Sequence, residues 1–356
     1  MRRLYAGIDL HSNNNVVVIT DEADTVVYRK RKRNDLRTVL EALAPFANQL
    51  EGVVVESTYN WYWLVDGLMA EGYQVHLANT NALQQYTGLK YADDESDAGW
   101  LAKLLRLGIL REGYIYPRAE RPVRDLLRKR AHLVRQRTAN ILSVQNLLAR
   151  NTGQNISGAG VKHLDEASVE EMLPNQDLAL AVHSSVAVMG CLDTQIARLE
   201  KVVLKRVRLR EEFQGLLTVP GIGPILALTI VLEMGDIKRF PDVGDFASYA
   251  RCVNGSRNSN NKRKGGVNTK NGNAHLAWAF MEAAHYAVQY DETIERYYQR
   301  KLSKVHVMVA RKTVAHKLAR ACYHILRDHT TFDVDRAFGP SRGRKRLDET
   351  ASSPRD

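Results

Sequence analysis

Apolar residues fall in short runs at the start of the chain and at three- and four-residue intervals later, which predicts a strand-rich beginning and a helical remainder. Leu4 to Asp9, Asn15 to Thr20 and Thr25 to Lys30 are β-rich runs separated by short polar turns, the pattern of an antiparallel meander. Asn34 or Asp35 can cap a helix whose Leu40, Leu43 and Phe46 share a buried face. A central strand from Val53 to Glu56, a helix from Trp61 to Glu71, a strand from Gln74 to Ala78 and a helix from Ala82 onward complete an α/β domain over residues 1–113.

The pattern changes at Pro117. Residues 117–210 read as basic helix, with Leu127, Val134, Ile141 and Leu148 recurring every seven residues beside Leu126, Leu133 and Leu147. Arg118, Arg121, Arg124, Arg128, Lys129, Arg130, Arg135 and Arg137 crowd the other positions. A second helix carries Leu192, Ile196, Leu199 and Val203, then Lys205, Arg206, Arg208 and Arg210, and a loop from Asn151 to Gly160 separates the two. Any one of these arginines suits a solvated helical hairpin; the row as a whole points to phosphate contact or a coiled-coil dimer, which are compatible.

Residues 213–335 form a further, mainly α domain. Val219-Pro220-Gly221-Ile222-Gly223-Pro224 opens an apolar helix from Ile225 to Met234; its two glycines either turn backbone N–H groups toward a phosphate, as in a helix-hairpin-helix module, or make a tight turn. Val253 to Lys270 is the most polar stretch and reads as a flexible loop carrying Lys262, Arg263, Lys264 and Lys270. Helices Ala274 to Tyr290 and Lys304 to Leu326 follow, the latter with Arg311, Lys312, Lys317 and Arg320, and residues 336–356 form a charged tail predicted to be disordered.

The order β-β-β-α-β-α-β-α is that of a ribonuclease H-like, or RuvC-like, domain. Asp9 and Glu56 end strands of it, and Asp94 and Asp97 share a helix face at i, i+3. Four such carboxylates can converge on two divalent cations about 3.5–4 Å apart, an arrangement that cleaves phosphodiesters by in-line attack. Taken singly, Asp9 could be a turn former and the acids from Asp93 to Asp97 a solvated helix start. Glu56, directly after four strand residues, is costly to bury unless paired or metal-bound. Sugar kinases and actin-like ATPases share this fold and the opening Gly7-Ile8-Asp9, but place a glycine where His11 stands here.

Charge agrees with a polyphosphate partner: 51 Lys+Arg against 40 Asp+Glu give a formal charge of +11. With 356 residues and 44% hydrophobic content, the chain can bury two or three domain cores. Cys191, Cys252 and Cys322 are odd in number and far apart, against a disulfide framework or a zinc site, and read as packing residues. No apolar run reaches membrane-spanning length and no signal peptide is seen, so a cytoplasmic, nucleoid-associated protein of a bacterium or archaeon is expected, with no membrane partner.

Five motifs in order carry a family resemblance over nearly the whole chain. They are Gly7-Ile8-Asp9, Glu56-Ser57-Thr58, Asp94-x-x-Asp97-Ala98, Pro220-Gly221-Ile222-Gly223 and Thr269-Lys270-x-Gly272-x-x-x-Leu276. The chain resembles the DEDD-type insertion-sequence transposases, a group related to Piv-like DNA invertases and described as bridge-RNA-guided recombinases. The resemblance implies a RuvC-like nuclease domain whose Asp9, Glu56, Asp94 and Asp97 bind Mg2+, two ions per site with Mn2+ as a substitute. It also implies a C-terminal domain with a catalytic serine, Ser259, or Ser256 on the other alignment of the loop. Asp93 is the alternative to Asp94, and the spacing to Asp97 favours Asp94. Implied partners are donor and target DNA, a noncoding bridge RNA, and further copies of the chain in a dimer or tetramer with composite sites. Nucleic-acid contacts are expected from Arg121, Arg124, Arg128, Lys129, Arg130, Arg135, Gly221, Gly223, Lys262, Arg263, Lys264 and Lys270. Two other classes remain open on the residues alone: a RuvC-like junction endonuclease that uses water, and a nucleic-acid-binding protein with structural carboxylates.

Overall fold

A computed structural model describes residues 2–80, 94–207, 210–253, 256–259, 262–266 and 271–339, the short segments 256–259 and 262–266 by their backbone alone. The chain divides into two compact units, Met1–Arg121 and Pro122–Asp356.

The first unit is built on a mixed five-stranded sheet in the order β3-β2-β1-β4-β5. β1 (Leu4–Leu10), β2 (Asn14–Asp21) and β3 (Val26–Arg33) are antiparallel neighbours, while β4 (Leu50–Glu56) and β5 (Val75–Ala78) run parallel to β1. Val53, Val54 and Val55 are all fully buried, as expected of a parallel strand covered on both faces. On one face Leu4, Ala6, Ile8, Leu10, Val53 and Val55 pack with Val39 and Leu43 of α1 (Leu36–Leu43) and with Leu64, Val65 and Leu68 of α2 (Tyr62–Ala70). On the other, α3 (Asp94–Arg106) sets Ala98 against Val16 and Val18, and Leu101 against Val54 and Ala78.

Asp35 is the N-cap of α1, its carboxylate accepting from the backbone N–H groups of Arg37 and Thr38. The helix ends sooner than its apolar spacing predicts. Pro45 cannot donate to an α-helical ladder, and Ala44–Gln49 tighten into a 3-10 turn that leaves Leu40 and Phe46 only partly buried. The predicted helix from Ala82 lies outside the described residues up to Asp94.

The second unit is helical. α4 (Arg121–Thr152) and α7 (Gln176–Val207) form an antiparallel pair, joined by two short helices, α5 (Gly158–Lys162) and α6 (Glu166–Met172). α7 is long and apolar enough to cross a bilayer by composition, but Ala179, Val182 and Met189 pack with Val144 and Leu148 of α4. A larger core joins α8 (Glu211–Leu217), α9 (Pro224–Met234), α10 (Val243–Tyr249), α11 (Ala274–Tyr290), α12 (Glu292–Leu302), α13 (Val307–Asp328) and α14 (Val334–Phe338). The polar segment read as a loop holds an antiparallel hairpin, β6 (Ser256–Ser259) and β7 (Lys262–Gly266). Cys252 and Cys322 are buried as packing residues, whereas Cys191 is exposed.

Candidate metal centre

One rung of the sheet carries the site. Asp9 pairs with Val16 and Val16 with Arg31 across β1, β2 and β3. On the other side Ile8 pairs with Val55, so the next step of that register sets Asp9 beside Glu56. Side chains alternate along a strand, and Val16 and Val54 face α3; Asp9, Glu56 and Arg31 therefore share that face. Asp94 and Asp97 sit in the first turn of α3. Gly7 lets that helix close on β1: a Cβ there would lie 1.9 Å from the Ala98 carbonyl oxygen and 2.9 Å from the Ala102 nitrogen.

Asp9 is 3% exposed, and its buried Oδ2 accepts no hydrogen bond. His11 Nε2 lies 3.2 Å from Asp9 Oδ2 and 3.3 Å from Asp94 Oδ2. Asp94 Oδ2 also receives Arg31 Nη2 at 2.6 Å, and that guanidinium, aided by His11, holds the Asp94 carboxyl below its usual range. Ligand atoms of Asp9, His11 and Asp94 all lie within 4.8 Å of one another. A buried carboxylate oxygen without a well-aligned hydrogen bond is costly, and hard oxygen donors with one imidazole suit a divalent cation, so the donor set fits such an ion. Glu56 and Asp97 are half-buried on Asp9's rung and one step along α3; Asp93 lies outside the described residues. His11 is the member that the carboxylate pattern does not reveal. Its signal is a position two residues beyond the strand-ending Asp9, at the mouth of the same turn.

In the second unit Ser256 and Ser259 lie on β6 and Lys262, Arg263 and Lys264 on β7, while Lys270 is outside the described residues. Just beyond, Asn273 caps α11 and donates to Glu233 Oε2 at 2.8 Å. Glu233, 2% exposed on the apolar α9, also receives both arms of Arg128 at 2.6 and 2.7 Å. Burial alone would raise its pKa, but Arg128 and Asn273 outweigh that and bring it below the usual glutamate range.

Other members of the arginine row are engaged inside the fold. Arg121 is 4% exposed, donates to Asp66 at 2.8 and 2.9 Å and to the Tyr116 carbonyl at 2.6 Å, and stacks on Trp61 and Tyr62. Arg124 is buried, Arg130 pairs with Glu200 and Arg137 with Asp193. Lys129 and Arg135 are exposed. Gly221, at φ +80°, packs where a Cβ would meet the Ala283 oxygen at 2.4 Å and the Ala287 nitrogen at 2.5 Å, whereas nothing crowds Gly223.

A family model for DEDD transposases of the IS110 type matches residues 6–151, the stretch that holds Asp9, Glu56, Asp94 and Asp97. A second model, described as transposase IS116/IS110/IS902 family, matches residues 214–299. The chain belongs to the IS110-type transposases. Among its relatives, a probable family 20 transposase of Pseudomonas aeruginosa is 24% identical over 339 residues, covering 92% of this chain and 97% of its own. The transposase of insertion sequence element IS1328 from Yersinia enterocolitica is 24% identical over 340 residues, with the same coverage of 92% and 97%. That of IS1111A from Coxiella burnetii is 23% identical over 289 residues, covering 78% and 76%. The two IS110-type matches thus take in both the carboxylate rung and the β6–β7 hairpin.

Proposed function

We propose that this insertion-sequence transposase cuts and rejoins DNA at a divalent-metal site formed by Asp9, Glu56, Asp94 and Asp97 in a ribonuclease H-like domain, with the Ser259 hydroxyl as nucleophile. The observation that carries the reading is the buried Asp9 Oδ2, which accepts no well-aligned hydrogen bond and lies 3.2 Å from His11 Nε2, on the same rung as Glu56 and within reach, through His11, of Asp94. Mg2+, or Mn2+ in its place, would polarise the scissile phosphate there. Asp9, buried on β1, would offer its carboxylate to the cation from a fixed position, beside an Asp94 that is held by Arg31.

The Ser259 oxygen forms a bond to phosphorus as the P–O bond to the leaving deoxyribose breaks, and the hydroxyl proton goes to solvent or to a nearby base. The phosphoserine ester keeps the bond energy, so rejoining by reversal needs no nucleotide. Ser256 is the alternative on the same strand. Target choice falls to a noncoding bridge RNA paired with donor and target DNA, the protein reading backbone shape. Assembly as a dimer or tetramer suits the helical pair, whose Leu142, Leu180 and Val188 are exposed.

The test is an SDS-resistant protein–DNA adduct formed by the full-length protein with its RNA and target DNA. Ser259→Ala should fold and bind normally yet give no adduct, and Asp9→Ala or EDTA should stop strand cleavage. Cleavage without an adduct would favour water as the nucleophile, and an adduct persisting in Ser259→Ala but lost in Ser256→Ala would move the nucleophile.

A further inference from the structure

β3 is an edge strand of the sheet, and five consecutive residues on it are cations, Arg29-Lys30-Arg31-Lys32-Arg33. Charge on an edge strand blocks pairing with another chain, a purpose indifferent to which face the charges take. Here the faces differ. Arg29 pairs with Val18, Arg31 with Val16 and Arg33 with Asn14, so these three arginines take the face of Asp9 and α3, and Lys30 and Lys32 the opposite one. All three are exposed. Arg29 donates to Glu95 at 2.8 Å and Arg31 to Asp94 at 2.6 Å, while Arg33 has no carboxylate partner among the described residues.

We propose that Arg29, Arg31 and Arg33 form a track for the phosphates of the DNA strand cut at the carboxylate site, and that Arg31 passes from Asp94 to a phosphate when Asp94 takes a cation. This rests on the metal reading of the site. A divalent cation on Asp94 repels a guanidinium held within hydrogen-bond distance of the same oxygen, which frees Arg31. The freed group then lies two strands from Asp9, about 10 Å, where the phosphates next to the scissile one would run. Alternate residues of the strand are about 6.8 Å apart, so the three guanidinium groups form an evenly spaced row along the edge, able to follow the backbone of one DNA strand. A DNA strand is favoured over RNA because the row borders the cutting site.

Two measurements on the full-length, RNase-treated protein decide the matter. Binding of a short mixed-sequence duplex is titrated against salt in Mg2+. The triple variant Arg29→Gln/Arg31→Gln/Arg33→Gln should lower the magnitude of the log–log slope by about 0.9 per arginine, and Lys30→Gln/Lys32→Gln should lower it far less. An unchanged slope in the triple variant, an equal loss per charge in the lysine pair, or a change seen with structured RNA and not with the duplex would overturn the track. Mn2+ affinity is then read by electron paramagnetic resonance. Arg31→Gln should bind Mn2+ several-fold more tightly than wild type, because a competing cation is gone; equal or weaker binding would overturn the handover. Asp9→Ala separates the two readings: if it binds Mn2+ like wild type, the metal site fails, while the salt slope still judges the track.

Discussion

Alanine at Gly7 should break the site from beneath, without touching a carboxylate. The added Cβ would stand 1.9 Å from the Ala98 carbonyl oxygen and 2.9 Å from the Ala102 nitrogen. Restoring an ordinary contact near 3.4 Å requires α3 to retreat about 1.5 Å, and both atoms are backbone, so no rotamer change relieves them. Overpacking of this kind costs about 3 kcal/mol, the upper end of its usual range. Asp97 and Asp94 ride on the displaced turn, and a shift of about 1 Å at a reacting centre lowers rate on the order of 100-fold. Gly99→Ala on α3, where the added Cβ would meet only Val18 Cγ1 at 3.7 Å, is the control and should gain about 0.5–1 kcal/mol from better helix propensity. Urea denaturation reads stability, and Mn2+ binding and strand cleavage read the site. If Gly7→Ala is as stable as wild type and keeps its Mn2+ affinity, α3 does not close on β1 in the way that the carboxylate cluster requires.

Two further outcomes follow from the engaged charges. Arg121→Gln leaves the Asp66 carboxylate and the Tyr116 carbonyl without their guanidinium, and should cost about 3 kcal/mol in urea denaturation, whereas the exposed Lys129→Gln should stay within about 0.5 kcal/mol; a stable Arg121→Gln with weakened DNA binding would give that arginine back to phosphate contact. Glu233 titrates below its ordinary range in the folded chain, so its ion pair stabilises above the unfolded glutamate pKa and is lost as pH falls through the folded value. Glu233→Gln should therefore be less stable than wild type at neutral pH, and the two stability curves should converge in acid; parallel curves down to the acid limit would refute the linkage.

The first unit is legible because each of its elements is decided locally. Alternation and valine runs mark the strands, and a strand-ending acid is conspicuous wherever burial would otherwise be costly, as at Asp9 and Glu56. Its misses are where a single residue overrides a pattern: Pro45 ends α1 against the apolar spacing, and His11 joins the acids through a turn whose geometry no spacing rule encodes. In the second unit α5 starts inside the expected loop of Asn151 to Gly160 and α6 follows it, unforeseen because Ser157 and Asp165 each cap a few residues too few to show periodicity. Gly221 likewise reads from the sequence as a phosphate turn or a tight turn, and its close approach to Ala283 and Ala287 of α11 shows only once that helix is in place.

The arginine row is the clearest case of a signal that needs its partner. A leucine repeat at Leu127, Val134, Ile141 and Leu148 marks one seam position per heptad; the other is held by Arg130, Arg137 and Val144. On α7 the matching seam runs Ala179, Val182, Val186, Met189, Asp193, Ile196, Glu200, Val203 and Val207, so its two acids fall where the two arginines need them. Arg130 meets Glu200 and Arg137 meets Asp193, an antiparallel register. Sliding α7 by one heptad in one direction would keep Arg130 opposite Asp193 but set Arg137 against Val186 and Glu200 against Val123. Sliding it the other way would keep Arg137 opposite Glu200 but set Arg130 against Val207 and Asp193 against Val144. Either slip leaves one cation and one anion unpaired in a part-buried, largely apolar seam, at a cost that solvent screening keeps below that of fully buried charges. The charged layers thus favour this register of the helical pair, and Arg130 and Arg137, which from one helix alone read as part of a positive face, have with both helices present a second role in keeping the pair from sliding.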